Sequence, residues 1–116
     1  VHAPKTAETR DLLDAGAFAK MKTGAFVVNC ARGGIVVEKD LVAALDAGKV
    51  RGAGVDVFEK EPPADWALAQ HPKVIATPHL GAATGEAQVN VSVMIARQIG
   101  AYLTRGEVIN AVNAAT

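Results

Sequence analysis

Four charged or titratable side chains of this chain each follow a short apolar segment. Arg32 follows the first of these segments, Asp56 comes directly after Val55 in the second, Glu61 lies a little beyond Asp56, and His79 follows the third. Side chains of these types bind charged ligands and transfer protons where a fold gathers them in one crevice. The elements of the chain decide whether the four side chains meet.

Three short, continuously apolar segments predict strands at 25–29, 54–58 and 74–77, as in a parallel sheet that is covered on both faces. Residues 1–4 have the pattern of the end of a further strand. Apolar periodicity predicts helices at 14–21, 38–47 and 84–103, and one or two helical turns at 65–70. This alternation predicts the α/β class, with part of a doubly wound parallel sheet. Because ligands bind such sheets at the carboxyl ends of the strands, we expect the four side chains at one edge.

Each of the four side chains also has an interpretation without function. Arg32 could be a surface arginine in a turn, and Asp56 could cap a turn. Glu61 could be a solvated loop carboxylate, and His79 a core histidine with satisfied hydrogen bonds. All four interpretations would have to hold together at strand ends on one edge, so the joint pattern favours a functional site. Cys30, in the same region, is expected to be a small buried residue and not a nucleophile.

Composition excludes several classes of protein. Among the 116 residues, twelve basic and twelve acidic residues cancel, which argues against nucleic acid as the main partner. No apolar run approaches the roughly 20 residues of a membrane-spanning helix. A single cysteine excludes an internal disulfide and favours the cytoplasm. No metal site is expected, because the three histidines lie far apart and Cys30 is alone.

Two further features of the sequence bear on its organisation. Gly52-Ala53-Gly54 begins a G-x-G pattern but lacks the third glycine, and it precedes a predicted strand instead of following one. The chain also begins at Val1, inside a strand pattern, so we expect it to be a portion of a larger protein. Residues 1–107 are expected to form the domain, with 108–116 as a segment leading to a domain that is not present.

Four stretches together resemble the D-isomer-specific 2-hydroxyacid dehydrogenases. They are Val1-His2-Ala3-Pro4 with Thr6, Glu8 and Thr9; residues 29–36, around Arg32; residues 56–63, from Asp56 to the paired prolines; and Pro78-His79-Leu80-Gly81-Ala82 with Thr84, Glu86, Ala87 and Gln88. The resemblance runs nearly from end to end with the spacing of that family. It implies the second half of a Rossmann-type NAD-binding domain, without the glycine-rich fingerprint, the acidic ribose-binding residue or the substrate domain.

The resemblance implies three catalytic residues. Arg32 would bind the substrate carboxylate, for which a planar guanidinium is suited. His79 would take the hydroxyl proton as hydride leaves the same carbon for the nicotinamide. Glu61 would hydrogen-bond His79, fix its tautomer and favour the imidazolium.

The resemblance also implies NAD as the cofactor and assigns residues to it. Asp56 would contact the nicotinamide carboxamide. The cofactor would be lined by two stretches of the chain. One is the backbone at Cys30, Ala31 and Arg32, and the other is the stretch with His79, Gly81 and Ala82. Ala3 and Pro4, with His2, would flank the adenosine end, although the family often has threonine in place of Ala3.

The implied activity is oxidation of a D-2-hydroxy acid to the 2-keto acid. The ending Asn110-Ala111-Val112-Asn113-Ala114 favours the branch that converts 3-phosphoglycerate to 3-phosphohydroxypyruvate in L-serine biosynthesis. The alternatives are a hydroxypyruvate or glyoxylate reductase of the same family, and a scaffold protein that senses dinucleotides without catalysis. We also expect a homo-oligomer formed through the nucleotide-binding domain, and an isolated 116-residue chain that is inactive.

Overall fold

The computed structural model of the chain describes residues 1–81 and 83–113, which divide into two compact units, Val1–Gly81 and Ala82–Thr116. The first unit contains α1 (Ala15–Lys20), β1 (Ala25–Asn29), α2 (Glu38–Asp46), β2 (Val50–Val55) and β3 (Val74–Ala76). The second contains α3 (Gly85–Arg105).

The three strands form one parallel sheet in the order β1-β2-β3. Val27 of β1 lies opposite Ala53 of β2, and Val55 of β2 lies opposite Ala76 of β3. The predicted α/β class is confirmed. Because all three strands run in the same direction, the loops that follow them meet at one edge of the sheet.

The strand bounds correct two predictions. β2 begins at Val50, four residues earlier than predicted, and ends at Val55, so the glycines of the G-x-G pattern lie inside the strand. A Cβ added at Gly52 would come within 3.1 Å of the Phe26 ring, so the glycine makes room for that ring on the face of the sheet. Residues 1–4 form no strand, although the Val1 backbone nitrogen donates to the Val28 carbonyl over 2.8 Å.

The helices of the first unit begin and end close to the predicted residues. Asp14 caps α1, its carboxylate accepting from the Ala17 amide over 2.8 Å. At the C-terminal end of α2, the Lys73 ammonium donates to the Leu45 carbonyl over 2.6 Å. Residues 65–70 make a single hydrogen-bonded turn, the Gln70 amide donating to the Trp66 carbonyl, and no helix.

The hydrophobic core lies on one face of the sheet only. It comprises Phe18, Val27, Val36, Leu41, Ala44, Leu45, Val50, Ala53, Val55, Phe58 and Leu68. On the other face Phe26, Val28 and Ile75 are exposed by 68%, 56% and 78%. No element of Val1–Gly81 packs over these three side chains, so the predicted cover of the second face is not found among the described residues of this unit.

His71, in the connection before β3, makes hydrogen bonds through both nitrogens of its ring. Its side chain is largely buried, and Nδ1 accepts from the Lys73 amide over 3.1 Å. Nε2 therefore carries the hydrogen and donates to Asp46 Oδ1, also over 3.1 Å. His71 thus ties the end of α2 to the connection before β3.

The second unit is the predicted long helix with the segment that follows it. Thr84 caps α3, its hydroxyl accepting from the Ala87 amide, and Gly106 ends it in the left-handed conformation with φ 67°. The apolar residues that recur at helical spacing along α3 are exposed: Val91, Met94, Ile95, Ile99, Tyr102 and Leu103. No regular element follows among residues 106–113, and 114–116 of the expected exit segment lie outside the described residues. Within 1–81 and 83–113, no helix combines the length and apolar character that crossing a membrane requires.

Candidate active site

His79 lies in the loop that follows β3, and its side chain is 43% exposed. This exposure excludes the interpretation as a core histidine. Its φ of 58° places the backbone in the left-handed region, which residues other than glycine rarely adopt. A non-glycine residue held in this conformation needs partners on either side of it, and the loop supplies them.

Glu61 and His79 form the most direct contact of the site. His79 Nδ1 lies 2.7 Å from Glu61 Oε2, and Glu61 Oε1 accepts from the Phe58 amide over 3.1 Å. The hydrogen bond with His79 lowers the pKa of the Glu61 carboxyl below its usual 4.5, and the Phe58 amide adds to this effect. Because the carboxylate is ionised, Nδ1 is the donor, and Nε2 is the ring nitrogen that can gain or lose a proton.

Asp56 is buried at the end of β2 and holds the His79 loop. Its Oδ1 accepts from the Thr77 hydroxyl over 2.5 Å and from the Leu80 amide over 2.7 Å, and its Oδ2 accepts from the Gly81 amide over 3.0 Å. The Thr77 hydrogen bond, followed by that from Leu80, lowers the pKa of the Asp56 carboxyl below its usual 3.8. Asp56 is thus an ionised anchor between two strand ends.

Asn29, the last residue of β1, shapes the loop that carries Arg32. The side chain is buried; its Oδ1 accepts from the Ala31 amide over 3.1 Å and its Nδ2 donates to the Arg32 carbonyl over 3.0 Å. The loop also packs directly on the segment after β2, because a Cβ added at Gly33 would lie 1.8 Å from the Phe58 carbonyl oxygen. Only glycine fits there.

The Arg32 side chain is exposed, and Nη1 donates to the neighbouring Ala31 carbonyl over 2.7 Å. Among the described residues, no carboxylate forms an ion pair with it. Cys30 is exposed, so the prediction that it is buried is wrong. Side chains alternate along β1, with Val27 and Asn29 directed into the core, and Cys30 therefore falls on the open side.

The stretch with Ala3 and Pro4 folds as a turn built by two threonines. The Thr9 hydroxyl donates to the Pro4 carbonyl over 2.6 Å and accepts from the Thr6 amide over 2.8 Å. Ala3 is half-buried and Pro4 is exposed. The threonines of this stretch therefore fix the backbone of the turn.

The structure brings Glu61 and His79 into contact and joins Asp56 to the loop that carries His79 and Gly81. Arg32, with Cys30 and Ala31, lies on the loop that follows β1. The Ala82 assignment lies outside the described residues. Sequence reasoning missed Asn29 and Thr77 as supports of the site. The available signal for Asn29 was an asparagine at a strand end before a glycine-rich loop.

A cavity of about 530 Å³ also lies against the Glu61–His79 pair. Its lining includes Phe58, Pro62, Pro63, Trp66 and Gln70. The walls are mainly apolar and, among the described residues, hold no arginine or lysine.

The Glu61–His79 contact predicts a pH effect for Glu61→Gln. The amide carries no charge to stabilise an imidazolium at its 2.7 Å contact with the ring. For the direction in which His79 accepts a proton, the limb of the pH–rate profile that rises with pH should move to lower pH. For the direction in which it donates one, activity near neutral pH should fall. Steady-state rates against pH measure both.

Glu59→Gln is the matched control, since Glu59 lies on the same loop but pairs with Arg10 over 3.1 Å. Its profile should coincide with that of the wild type. An unchanged profile in Glu61→Gln would show that the pair does not govern the proton transfer.

Comparison with protein families gives a match over residues 1–81, to the model described as D-isomer specific 2-hydroxyacid dehydrogenase, NAD binding domain. The D-3-phosphoglycerate dehydrogenase of Bacillus subtilis is 50% identical over 113 residues, which are 97% of this chain and 22% of that protein. The enzyme of the same name from Sus scrofa is 53% identical over 98 residues, 84% of this chain and 18% of that protein. The chain spans about a fifth of the length of these curated relatives.

Solved structures agree with the fold. A glyoxylate reductase from Paecilomyes thermophila superimposes with a TM-score of 0.87 at 35% identity, over 97% of this chain and 34% of that one. An NADPH-dependent glyoxylate/hydroxypyruvate reductase from Sinorhizobium meliloti, solved with NADP and malonate, superimposes with a TM-score of 0.84 at 33% identity. The superposition covers 97% of this chain and 35% of that one.

Proposed function

Because the chain belongs to the D-isomer specific 2-hydroxyacid dehydrogenases, we propose that it carries the proton-transfer site of an NAD-dependent enzyme that oxidises a D-2-hydroxy acid to the 2-keto acid. The observation that carries this proposal is the 2.7 Å contact between Glu61 Oε2 and His79 Nδ1. It leaves Nε2 as the nitrogen that exchanges a proton, in an exposed loop at the edge of a parallel sheet.

His79 acts as the general base in oxidation. Its Nε2 accepts the proton of the substrate hydroxyl while the carbon that bears the hydroxyl loses hydride and becomes a carbonyl carbon. Ionised Glu61 stabilises the resulting imidazolium through Nδ1. In reduction, the same Nε2 returns the proton to the carbonyl oxygen.

Arg32 binds the substrate carboxylate. The side chain is exposed at the end of β1 and, within the described residues, has no carboxylate partner of its own. A guanidinium can grip a carboxylate through two parallel hydrogen bonds, which orients the adjacent carbon as well as holding the charge.

The residues present fit the nicotinamide end of NAD. Asp56 accepts three hydrogen bonds, and an ionised carboxylate offers about four acceptor positions, so one position on Oδ2 suits the carboxamide of the nicotinamide. The backbone at Cys30, Ala31 and Arg32 and at Gly81 lies on the loops after the strands, where such ligands bind. When bound, NAD supplies the acceptor of the hydride.

Among the substrates of this family, we propose 3-phosphoglycerate, and with it a step of L-serine biosynthesis. Identities of 50% and 53% to enzymes named D-3-phosphoglycerate dehydrogenase, over most of this chain, support this substrate. The similarity to the two reductase structures favours reduction of glyoxylate or hydroxypyruvate as the second candidate.

Steady-state assays of the full-length protein test these proposals. We expect the kcat/KM for NAD-dependent oxidation of 3-phosphoglycerate to exceed the kcat/KM for the same oxidation with NADP. It should also exceed the kcat/KM for reduction of glyoxylate or hydroxypyruvate. Formation and consumption of the reduced cofactor are followed by absorbance. A preference for glyoxylate or hydroxypyruvate would replace the proposed substrate by the second candidate, and a preference for NADP would overturn the proposed cofactor.

Several wider proposals accompany this function. We propose that residues 1–107 are the second half of a dinucleotide-binding domain, with 108–116 leading to a further domain, and that the isolated chain is inactive. The protein is proposed to act in the cytoplasm, supported by its single cysteine. It is proposed to form a homo-oligomer through the nucleotide-binding domain and to bind no nucleic acid, supported by the balanced charge.

A further inference from the structure

One buried carboxylate holds the His79 loop on both sides of the histidine. Asp56 accepts from the Thr77 hydroxyl, two residues before His79, and from the amides of Leu80 and Gly81, one and two residues after it. His79 itself has φ 58°, a conformation that a side chain disfavours unless its neighbours are fixed. The three hydrogen bonds to Asp56 fix them.

Thr77 is the member of this set that can orient the carboxylate. Its backbone amide donates to the Val55 carbonyl over 2.9 Å, which extends the pairing of β2 with β3 and places the residue firmly. From that position its hydroxyl reaches Asp56 Oδ1 over 2.5 Å, the length of a hydrogen bond to an ionised acceptor. The donor is thus fixed by the sheet, whereas Leu80 and Gly81 belong to the loop that must be held.

We propose that Thr77 is a positioning residue for His79. Its hydroxyl sets the rotamer of Asp56, so that both carboxylate oxygens receive the Leu80 and Gly81 amides, and the loop then keeps His79 Nδ1 on Glu61 Oε2. This inference rests on the proposed function of His79. It extends that function to a residue that acts on His79 through Asp56.

Three variants of the full-length protein test the inference. Thr77→Val keeps the shape of the side chain and removes the hydroxyl, whereas Thr77→Ser retains it. Thr104→Val is the matched control, because it also removes one hydroxyl, which donates to the Gly100 carbonyl within α3. For each variant we measure kcat and KM for the hydroxy acid, the Kd of NAD and the melting temperature.

We expect Thr77→Val to lower kcat on the order of 10–10²-fold, the effect of displacing a reacting group by about 1 Å. KM for the hydroxy acid should change little, because Arg32 lies on a different strand end. Thr77→Ser should restore kcat, and Thr104→Val should match the wild type. A purely structural role would lower the melting temperature of Thr77→Val without this loss of kcat.

Two results overturn the inference in distinguishable ways. If His79→Ala abolishes turnover but Thr77→Val retains native kcat, the proposed function stands and the positioning role of Thr77 is wrong. If His79→Ala itself retains native turnover, the proposed function fails, and this inference fails with it.

Discussion

Replacing His79 with alanine in the full-length protein should lower turnover by about 10²–10⁴-fold, the usual contribution of a positioned general acid or base. The affinity for NAD should change little, because the cofactor is assigned to backbone groups and to Asp56. Steady-state kinetics and NAD titration measure the two quantities separately.

His71→Ala is the matched control for this variant. His71 pairs with Asp46 and the Lys73 amide, so its replacement should lower stability and leave turnover intact. Native turnover in His79→Ala would show that His79 does not transfer the proton.

Replacing Arg32 with alanine should raise KM for the hydroxy acid by about 10²-fold or more. Each hydrogen bond to a charged group contributes about 1.5–3 kcal/mol, and a bidentate grip loses two of them. Arg32→Lys should recover only part of the affinity, because an ammonium keeps the charge but not the planar pair of donors. KM values from initial rates at saturating NAD measure this effect.

Arg105→Ala serves as the control, since Arg105 pairs with Glu107 over 2.9 Å beyond the last strand. It should leave KM unchanged. If Arg32→Ala also leaves KM unchanged, the substrate carboxylate is bound elsewhere.

Much of the fold followed from periodicity and helix-end signals. The spacing of Leu41, Ala44 and Leu45 placed them on one face of α2, and all three are buried. Asp14 and Thr84 stand where short polar side chains cap helices, and both do so.

The errors have physical causes that lie outside local pattern. β2 starts at Val50 and includes Gly52, a residue of weak strand preference. Gly52 pairs with Phe26 of β1 and makes room for its ring. Continuous apolar character in β1 predicted cover on both faces, but Phe26 and Val28 are exposed and no element of Val1–Gly81 packs over them. Long-range contacts decide both features.

The candidate site shows the same division. Strand ends singled out Arg32, Asp56, Glu61 and His79 as candidates. The resemblance paired Glu61 with His79, and these two side chains are in contact in the structure. The anchoring by Asp56 could not be predicted from sequence, because it depends on a left-handed residue at position 79 and on which amides then face the carboxylate.

The central claim is that His79 takes the hydroxyl proton in the step that transfers hydride. Rapid mixing of the full-length protein and NAD with 3-phosphoglycerate, carrying hydrogen or deuterium at the reacting carbon, measures that step from NADH absorbance in the first turnover. We expect His79→Ala to slow the first turnover by about 10²–10⁴-fold with a full deuterium isotope effect, and His71→Ala to match the wild type. A first turnover in His79→Ala as fast as that of the wild type would contradict the claim.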